Sequence, residues 1–263
     1  MAERLDTALA ARGLARSRTH AARLIADGLV TVDGRPAVRN SVKVEDDQEL
    51  AVATSDHYVS RAAHKLVAAL DGFGVDPTGR LALDLGASTG GFTQVLLERG
   101  AREVIALDVG HGQLVAQVRE DPRVRVVEGF NAREMTADSL AEASGTVASP
   151  DLVVADLSFI SLGMVLPAVQ ASVAPDADFL LLVKPQFEVG RGGIREGIVR
   201  DAQLRRDAVE AVLWTAFDLG LGTAGVLSSP IAGTNGNHEY LVHVGTRTGG
   251  HPTEWRERIG SLD

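Results

Sequence analysis

Lysine is a poor residue with which to end a buried strand, yet Phe179-Leu-Leu-Leu-Val183 runs directly into Lys184. Asp156 likewise closes the apolar run Leu152-Val-Val-Ala155, and Glu239 opens Tyr240-Leu-Val-His-Val244. A parallel sheet collects such strand ends along one edge, above the ligand it binds. Lys65 lies in the helix-like segment Ser60-Arg-Ala-Ala-His-Lys-Leu-Val-Ala-Ala-Leu70 and reads on its own as an ordinary surface lysine. With the three strand-end residues it completes an ordered series, Lys65, Asp156, Lys184 and Glu239, which is a candidate active site of paired acids and bases.

A second constellation points to a cofactor. The apolar positions Leu81, Leu83 and Leu85 suit a strand buried on both faces, Asp84 sits near its end, and Gly86-Ala-Ser-Thr-Gly-Gly91 follows as a small-residue turn into an amphipathic helix at Gln94–Arg99. Val104-Ile-Ala-Leu-Asp108 then repeats the pattern of an apolar strand with an acid at its end. Two acids on adjacent parallel strands mark a nucleoside pocket. Charge narrows the nucleoside. A dinucleotide would set its pyrophosphate beside anionic Asp84, the spacing Gly86-x-x-x-Gly90-Gly91 is not Gly-x-Gly-x-x-Gly, and no Gly-Lys-Ser/Thr follows. S-adenosylmethionine carries no phosphate and has a cationic sulfonium and ammonium. It suits Asp84 at its methionine end and Asp108 at its ribose; Ala87, Ser88 and Thr89 complete the turn with Gly86, Gly90 and Gly91, and Val109 follows Asp108. Asn131 and Ala132, after the strand-like Val124–Glu128, either face the adenine or cap the next turn. The glycine turn also has a purely structural reading, as the packing of a Rossmann-like unit.

These elements belong to a chain of 263 residues, 45% hydrophobic, with a formal charge of -9 and no cysteine. One large or two modest domains fit that length. The absence of cysteine excludes disulfides and thiolate metal sites, and the seven histidines show no metal-ligand spacing, so no metal is expected. No apolar stretch reaches bilayer length and the first residues lack signal-peptide order, so a cytoplasmic protein without membrane association is expected. An acidic chain can hold nucleic acid only through a local basic patch. Arg12, Arg16, Arg18, Arg23, Arg35 and Arg39 form one, opposed over that span by Asp27 and Asp33, unless the run is only a solvated face. The same region reads as a helix stopping near Gly13, a second helix capped by Ser17 and ending at Gly28, and a strand, Leu29–Val32, turning at Asp33-Gly34. Val44–Val52 is strand-like, a polar stretch follows, and Ser60 is expected to cap the next helix.

Arg4-Leu-Asp-x-x-Leu-x-x-x-Gly-Leu-x-x-Ser17-Arg18 with Ala22-x-x-Leu-Ile-x-x-Gly28-x-Val30-x-Val-Asp-Gly34 resembles the S4 RNA-binding module over residues 3–50. Farther on, Tyr58-Val-Ser-Arg-Ala-Ala-His-Lys-Leu66, Asp84–Thr93, Asp108-Val-Gly-His-Gly-Gln-Leu114, Asp156-Leu-Ser-Phe-Ile-Ser161, Lys184-Pro-Gln-Phe-Glu188 and Gly236-Asn-His-Glu-Tyr240 are similar, in order, to the TlyA family. The resemblance implies an S4 domain (1–53), a linker (54–59), an FtsJ-like methyltransferase domain (60–246) and a tail (247–263) that is loose or a short helix. The implied fold is an α/β Rossmann-like methyltransferase, a mostly parallel seven-stranded sheet with helices on both faces, preceded by a small α+β domain.

The implied activity is methylation of ribose 2′-hydroxyls in 16S and 23S ribosomal RNA, with S-adenosylmethionine as donor and S-adenosylhomocysteine as product. Ribosomal RNA or subunits are the implied partner of a protein expected to be a monomer. A Lys-Asp-Lys-Glu tetrad carries the reaction in FtsJ-like folds and matches the four residues above. A ribose hydroxyl is a weak acid, and burial or a neighbouring cation favours the uncharged amine that can take its proton. Lys184 is the expected base, with Asp156 and Glu239 holding its amine and Lys65 placing the hydroxyl or tuning the pair. Arg4, Arg16, Arg18, Arg23 and Arg61 are expected on RNA phosphates, joined by Arg191 if the glycine-rich 190–197 segment is a substrate loop and not only a connection. Mycobacterial members carry Arg-x-Trp-Val where this chain has Asp56-His-Tyr-Val59, so the resemblance leaves a coupling role for the linker open. Three alternatives stay open: methylation of an RNA base, although Asp156-Leu-Ser-Phe159 lacks the prolines of Asn-Pro-Pro-Tyr; a non-catalytic assembly factor; and a haemolysin, for which no basic amphipathic membrane helix is found.

Overall fold

The computed structural model describes residues 3–15, 17–26, 28–37, 39–52, 57–190, 193–194, 196–246 and 249–262. It divides into two compact units, residues 1–61 with 234–236, and residues 62–233 with 237–263.

In the first unit β1 (Glu3–Arg4) leads into α1 (Leu5–Ala11) and α2 (Arg18–Ala26), and β2 (Val30–Val32), β3 (Arg35–Pro36), β4 (Lys43–Val44) and β5 (Leu50–Val52) follow. Leu5, Ala8 and Leu9 recur at helical spacing and bury against Ala21, Leu24 and Ile25, with Val30, Val44 and Leu50 beneath them. The Ser17 hydroxyl accepts the His20 N–H and caps α2. Asp33 and Gly34, both at positive φ, form the two-residue turn joining β2 to β3. The strand expected over Val44–Val52 is interrupted: β4 pairs with β1, β5 pairs with β2, and Gln48 folds back to accept the Glu45 N–H between them.

In the second unit α3 (Ala63–Phe73) precedes β6 (Leu81–Leu85), α4 (Gly91–Glu98), β7 (Glu103–Asp108), α5 (Ala116–Arg119), β8 (Val124–Glu128), α6 (Ala137–Ser144) and β9 (Leu152–Ala155). Then come α7 (Leu166–Gln170), β10 (Asp178–Val183), α8 (Pro185–Glu188), α9 (Ala202–Asp218), β11 (Gly222–Ser228), β12 (Tyr240–Gly245) and α10 (Arg256–Gly260). The sheet order is β11-β12-β10-β9-β6-β7-β8, parallel except that β12 runs antiparallel to both neighbours. Side chains alternate across it. Leu81, Leu83 and Leu85 join Leu140 of α6, Leu166 of α7 and Val209, Val212 and Leu213 of α9 in one core. Asp84 and His243 point to the other face, where Thr93 of α4 and Phe73 of α3 meet them.

Two expectations are corrected here. Ser60 does not cap α3, which starts at Ala63 from Ala62 without a side-chain cap. The helix after the glycine turn is not amphipathic in its surroundings: Gly91 through Leu97 are all buried, so α4 is a core element. At the far end Ile259 of α10 joins the main core, which makes the terminal segment a packed short helix.

Candidate active site

The antiparallel β12 explains why a residue at a strand's beginning belongs with residues at strands' ends. Val183 pairs with Tyr240, so Lys184 and Glu239 leave the ladder at the same edge; Ala155 pairs with Leu181, which puts Asp156 beside them. Lys65 arrives from α3. Its Nζ donates to Glu239 Oε2 at 2.6 Å, and the two side chains are only 6% and 2% exposed. Lys184 Nζ lies 2.6 Å from Asp156 Oδ1 and donates to Ser158 Oγ at 2.8 Å. The Asp156 contact has ion-pair distance without hydrogen-bond angles, since Asp156 Oδ1 is otherwise without a partner among the described residues. The four residues thus form two separate pairs. The expectation that Glu239 holds the Lys184 amine is corrected: Glu239 is taken by Lys65, and Ser158 supplies the second contact to Lys184.

Beside Asp156 opens a cavity of about 560 Å³, within the range of small-molecule sites, lined by Gly86, Ser88, Asp108, Val109, Asn131, Ala132 and Asp156 among others. Backbone geometry shapes the turn that borders it. Gly86, at φ +80°, would drive a Cβ to 2.9 Å from the Asp156 carbonyl, and Gly90, at φ +100°, would bring one to 2.9 Å from Leu114. Asp108 is fixed by backbone N–H groups, accepting from Ser88 at 2.9 Å and Gly110 at 2.7 Å. Asp84 is fully buried; its Oδ2 accepts from Thr93 Oγ1 at 2.6 Å, while Oδ1 has no partner among the described residues. Burial pushes its carboxyl up to about 7 against the Thr93 hydrogen bond, and the charges of Asp156 and Asp108 add to the rise. Three acids within electrostatic reach, one of them an orphan in low dielectric, call for a cation. A ligand with the ammonium and sulfonium of S-adenosylmethionine meets that demand; Asp108 and Asp156 line the cavity, and Asp84 lies outside its lining.

The remaining cofactor expectations divide. Ala87, Thr89, Gly90 and Gly91 form the turn but are not in the cavity lining, and neither are Asp84, Lys65, Lys184 and Glu239. Asn131 does both things expected of it, lining the cavity while its side chain accepts the Arg133 N–H and caps the next turn. Ser158, Gln113 and Phe159 also line the cavity, and Gln113 accepts from Ser88 Oγ at 3.3 Å. Phe159 is 93% exposed at φ +64°, an unusual backbone state for a bulky residue, and its ring stands 5.2 Å from that of Phe187. Glu188, raised by burial, accepts from Ser161 Oγ at 2.5 Å and the Leu162 N–H at 2.9 Å, which ties the segment after β9 to α8. All of these missed residues except Leu162 occupy the motifs quoted for the family; place within the motif was the available signal, and the residue type was not.

Of the arginines, Arg16 and Arg191 lie outside the described residues, as does the side chain of Arg23. Arg61 sits over Gly28, its Nη1 at 3.2 Å from where a Cβ would stand. Arg4 donates to both Asp6 oxygens, at 2.9 and 3.2 Å, and Arg18 to one at 3.3 Å. The basic patch therefore has a third opposing acid, Asp6, which hydrogen bonds from Arg4 pull down to about 2 despite its burial. Arg12 is spent on the Glu45 and Gln48 carbonyls, whereas Arg35 and Arg39 are exposed.

A seven-stranded sheet with one antiparallel strand, an acid-lined nucleoside cavity and two lysine–carboxylate pairs on the adjoining edge define an FtsJ-like methyltransferase, and that family matches residues 58–246 while the S4 domain family matches residues 3–50. The 16S/23S rRNA (cytidine-2′-O)-methyltransferase TlyA of Mycobacterium tuberculosis is 52% identical over 248 residues, 93% of this chain and 90% of that one. Hemolysin A of Brachyspira hyodysenteriae is 38% identical over 241 residues, covering 91% of this chain and 98% of its own. A solved structure from Streptococcus thermophilus, described as a candidate hemolysin, is 37% identical with a TM-score of 0.76 and covers 99% of this chain and 95% of its own. The chain belongs to the TlyA family.

Proposed function

We propose that the protein transfers a methyl group from S-adenosylmethionine to a ribose 2′-hydroxyl of 16S or 23S ribosomal RNA, as the activity of its mycobacterial relative suggests. The observation that carries this reading is the Lys184 amine, buried at the strand edge and held by Asp156 and Ser158, two residues that also line the nucleoside cavity. When bound, S-adenosylmethionine supplies an electrophilic methyl group. Lys184, as the uncharged amine, takes the proton of the attacking hydroxyl, and Asp156 stabilises the ammonium that results. Lys65, neutralised by Glu239, is a fixed donor that orients the hydroxyl without adding net charge. Asp108 accepts the cofactor ribose hydroxyls, and Asp84 and Asp156 face its cationic end. The exposed Arg35 and Arg39, with Arg18, bring phosphates to the small domain and fix orientation more than sequence. Every proton transfer in this scheme is made by a side chain, so the reading needs no metal, and it is of a protein acting as a cytoplasmic monomer.

Incubating the protein with 30S and 50S subunits and S-adenosylmethionine, then digesting the RNA to nucleosides for mass spectrometry, tests the reading. Methyl is expected on ribose; methyl on a base refutes the 2′-hydroxyl assignment. Lys184→Ala is expected to abolish transfer while S-adenosylhomocysteine still binds, and retained turnover removes Lys184 as the base.

A further inference from the structure

We propose that Ser158 is a positioning residue that fixes the direction of the Lys184 lone pair, an inference that rests on Lys184 being the base. An amine nitrogen has four directions. In Lys184 the Cε bond takes one and the 2.8 Å hydrogen bond to Ser158 Oγ a second, while Asp156 Oδ1, at 2.6 Å without hydrogen-bond angles, attracts the amine without fixing an N–H direction. The lone pair takes one of the other two, and on it the hydroxyl proton lands as the O–H bond breaks and its electron pair stays on the ribose oxygen. With Asp156 alone, no N–H direction would be fixed and the lone pair would turn freely about the Cε–Nζ bond. Ser158 removes that ambiguity.

Its surroundings suit the task. Lys184 is buried while Ser158 is exposed and lines the cavity, so the hydroxyl stands at the boundary between the base and the space where the cofactor is held. The segment that carries it is anchored on both sides. Asp156 N–H bonds to the Leu85 carbonyl, and Glu188, at the end of the helix that begins one residue after Lys184, grips Ser161 and the Leu162 N–H. The charged groups on this edge are Asp156, the Lys65–Glu239 pair and Asp84. A neutral hydroxyl among them can orient the amine without changing the local charge.

The test compares the full-length protein with Ser158→Ala, Ser158→Thr and Lys184→Ala in single-turnover methylation of 30S and 50S subunits from cells lacking the activity. Ser158→Ala is expected to slow the single-turnover rate about 10- to 100-fold while KM for S-adenosylmethionine and for subunits stays within about twofold. Thermal stability and S-adenosylhomocysteine binding should be unchanged, and Ser158→Thr, which keeps the hydroxyl, should recover most of the rate. A wild-type rate in Ser158→Ala, a loss confined to KM, or a folded Ser158→Thr as slow as Ser158→Ala overturns the inference. The two failures are separable: turnover in Lys184→Ala sinks the base and with it the role of Ser158, whereas an inert Lys184→Ala beside a fully active Ser158→Ala sinks Ser158 alone.

Discussion

Asp6 in the small unit and Asp84 in the large sheet are both buried aspartates, and they titrate in opposite directions. Asp6 accepts from two arginines and is pulled down to about 2; Asp84 accepts one hydroxyl proton, keeps one oxygen unpartnered among the described residues and is pushed up to about 7. Glu239, with its lysine at 2.6 Å, belongs with Asp6 in having a cationic partner from the chain itself. An acid whose cation comes from the same chain helps to hold the fold. An acid buried without one favours its neutral form, and once ionised it destabilises the fold unless a cationic ligand joins it.

The largest effect is expected where a partnered ion is stripped. Glu239→Ala leaves the Lys65 ammonium buried without its carboxylate and should reduce stability by about 3–5 kcal/mol in denaturant melts. The double variant Lys65→Met with Glu239→Leu should recover most of that loss and remain inactive. If Glu239→Ala melts like the wild type, the pair is not a partnered acid in this sense and the contrast with Asp84 fails.

Asp84→Asn should move stability the other way. An acid with a raised folded value binds its proton more tightly in the native state, so stability is greatest below about pH 4 and falls until the pH passes about 7. The amide keeps the Thr93 contact without a charge, and the variant should be about 1–3 kcal/mol more stable than wild type at pH 8, with no difference at pH 4. S-adenosylmethionine affinity at pH 8 should drop about 30- to 1,000-fold in calorimetry, the usual loss for one partner of a buried charge pair. A variant that is destabilised at pH 8, or that binds normally, would place Asp84 with the structural acids.

Asp6→Asn is the milder mirror image. A depressed folded value stabilises above the unfolded one, near pH 4, and that contribution is lost as pH falls through about 2. Because Arg4 and Arg18 are 41% and 62% exposed, solvent screening limits the loss to about 1 kcal/mol at pH 7, vanishing near pH 2.

The same contrast marks what the chain disclosed before folding. Strand-end acids and lysines were legible because an apolar run has no packing reason to end in Asp156 or Lys184, and the glycine turn was legible because Gly86 and Gly90 need backbone states that other residues avoid. Partnerships were not. That Glu239 takes Lys65 and leaves Lys184 to Ser158 depends on an antiparallel strand entering between β10 and β11, which residue order alone does not give. Asp6 escaped notice for a similar reason: it lies on the face of α1 that meets Arg18 across a turn, so a charge count along the sequence missed its partner. Ser60, a favourable cap by type, lost to a helix that starts three residues later.

Arg18 is where the two roles of charge meet, and its effect should be the smallest. As a partner of Asp6 at 3.3 Å it is mostly exposed, so Arg18→Ala should change stability by about 0.5 kcal/mol or less. As a phosphate ligand it should lower the slope of log affinity against log salt by about 1 in binding to ribosomal subunits, uniformly across RNA sequences. Lys at the same position keeps the charge and should keep the slope. If Arg18→Ala instead leaves the salt dependence untouched and its whole effect appears in melting, then Arg18 serves Asp6 alone, and the exposed arginines Arg35 and Arg39 carry the electrostatic contact on the described part of the small unit.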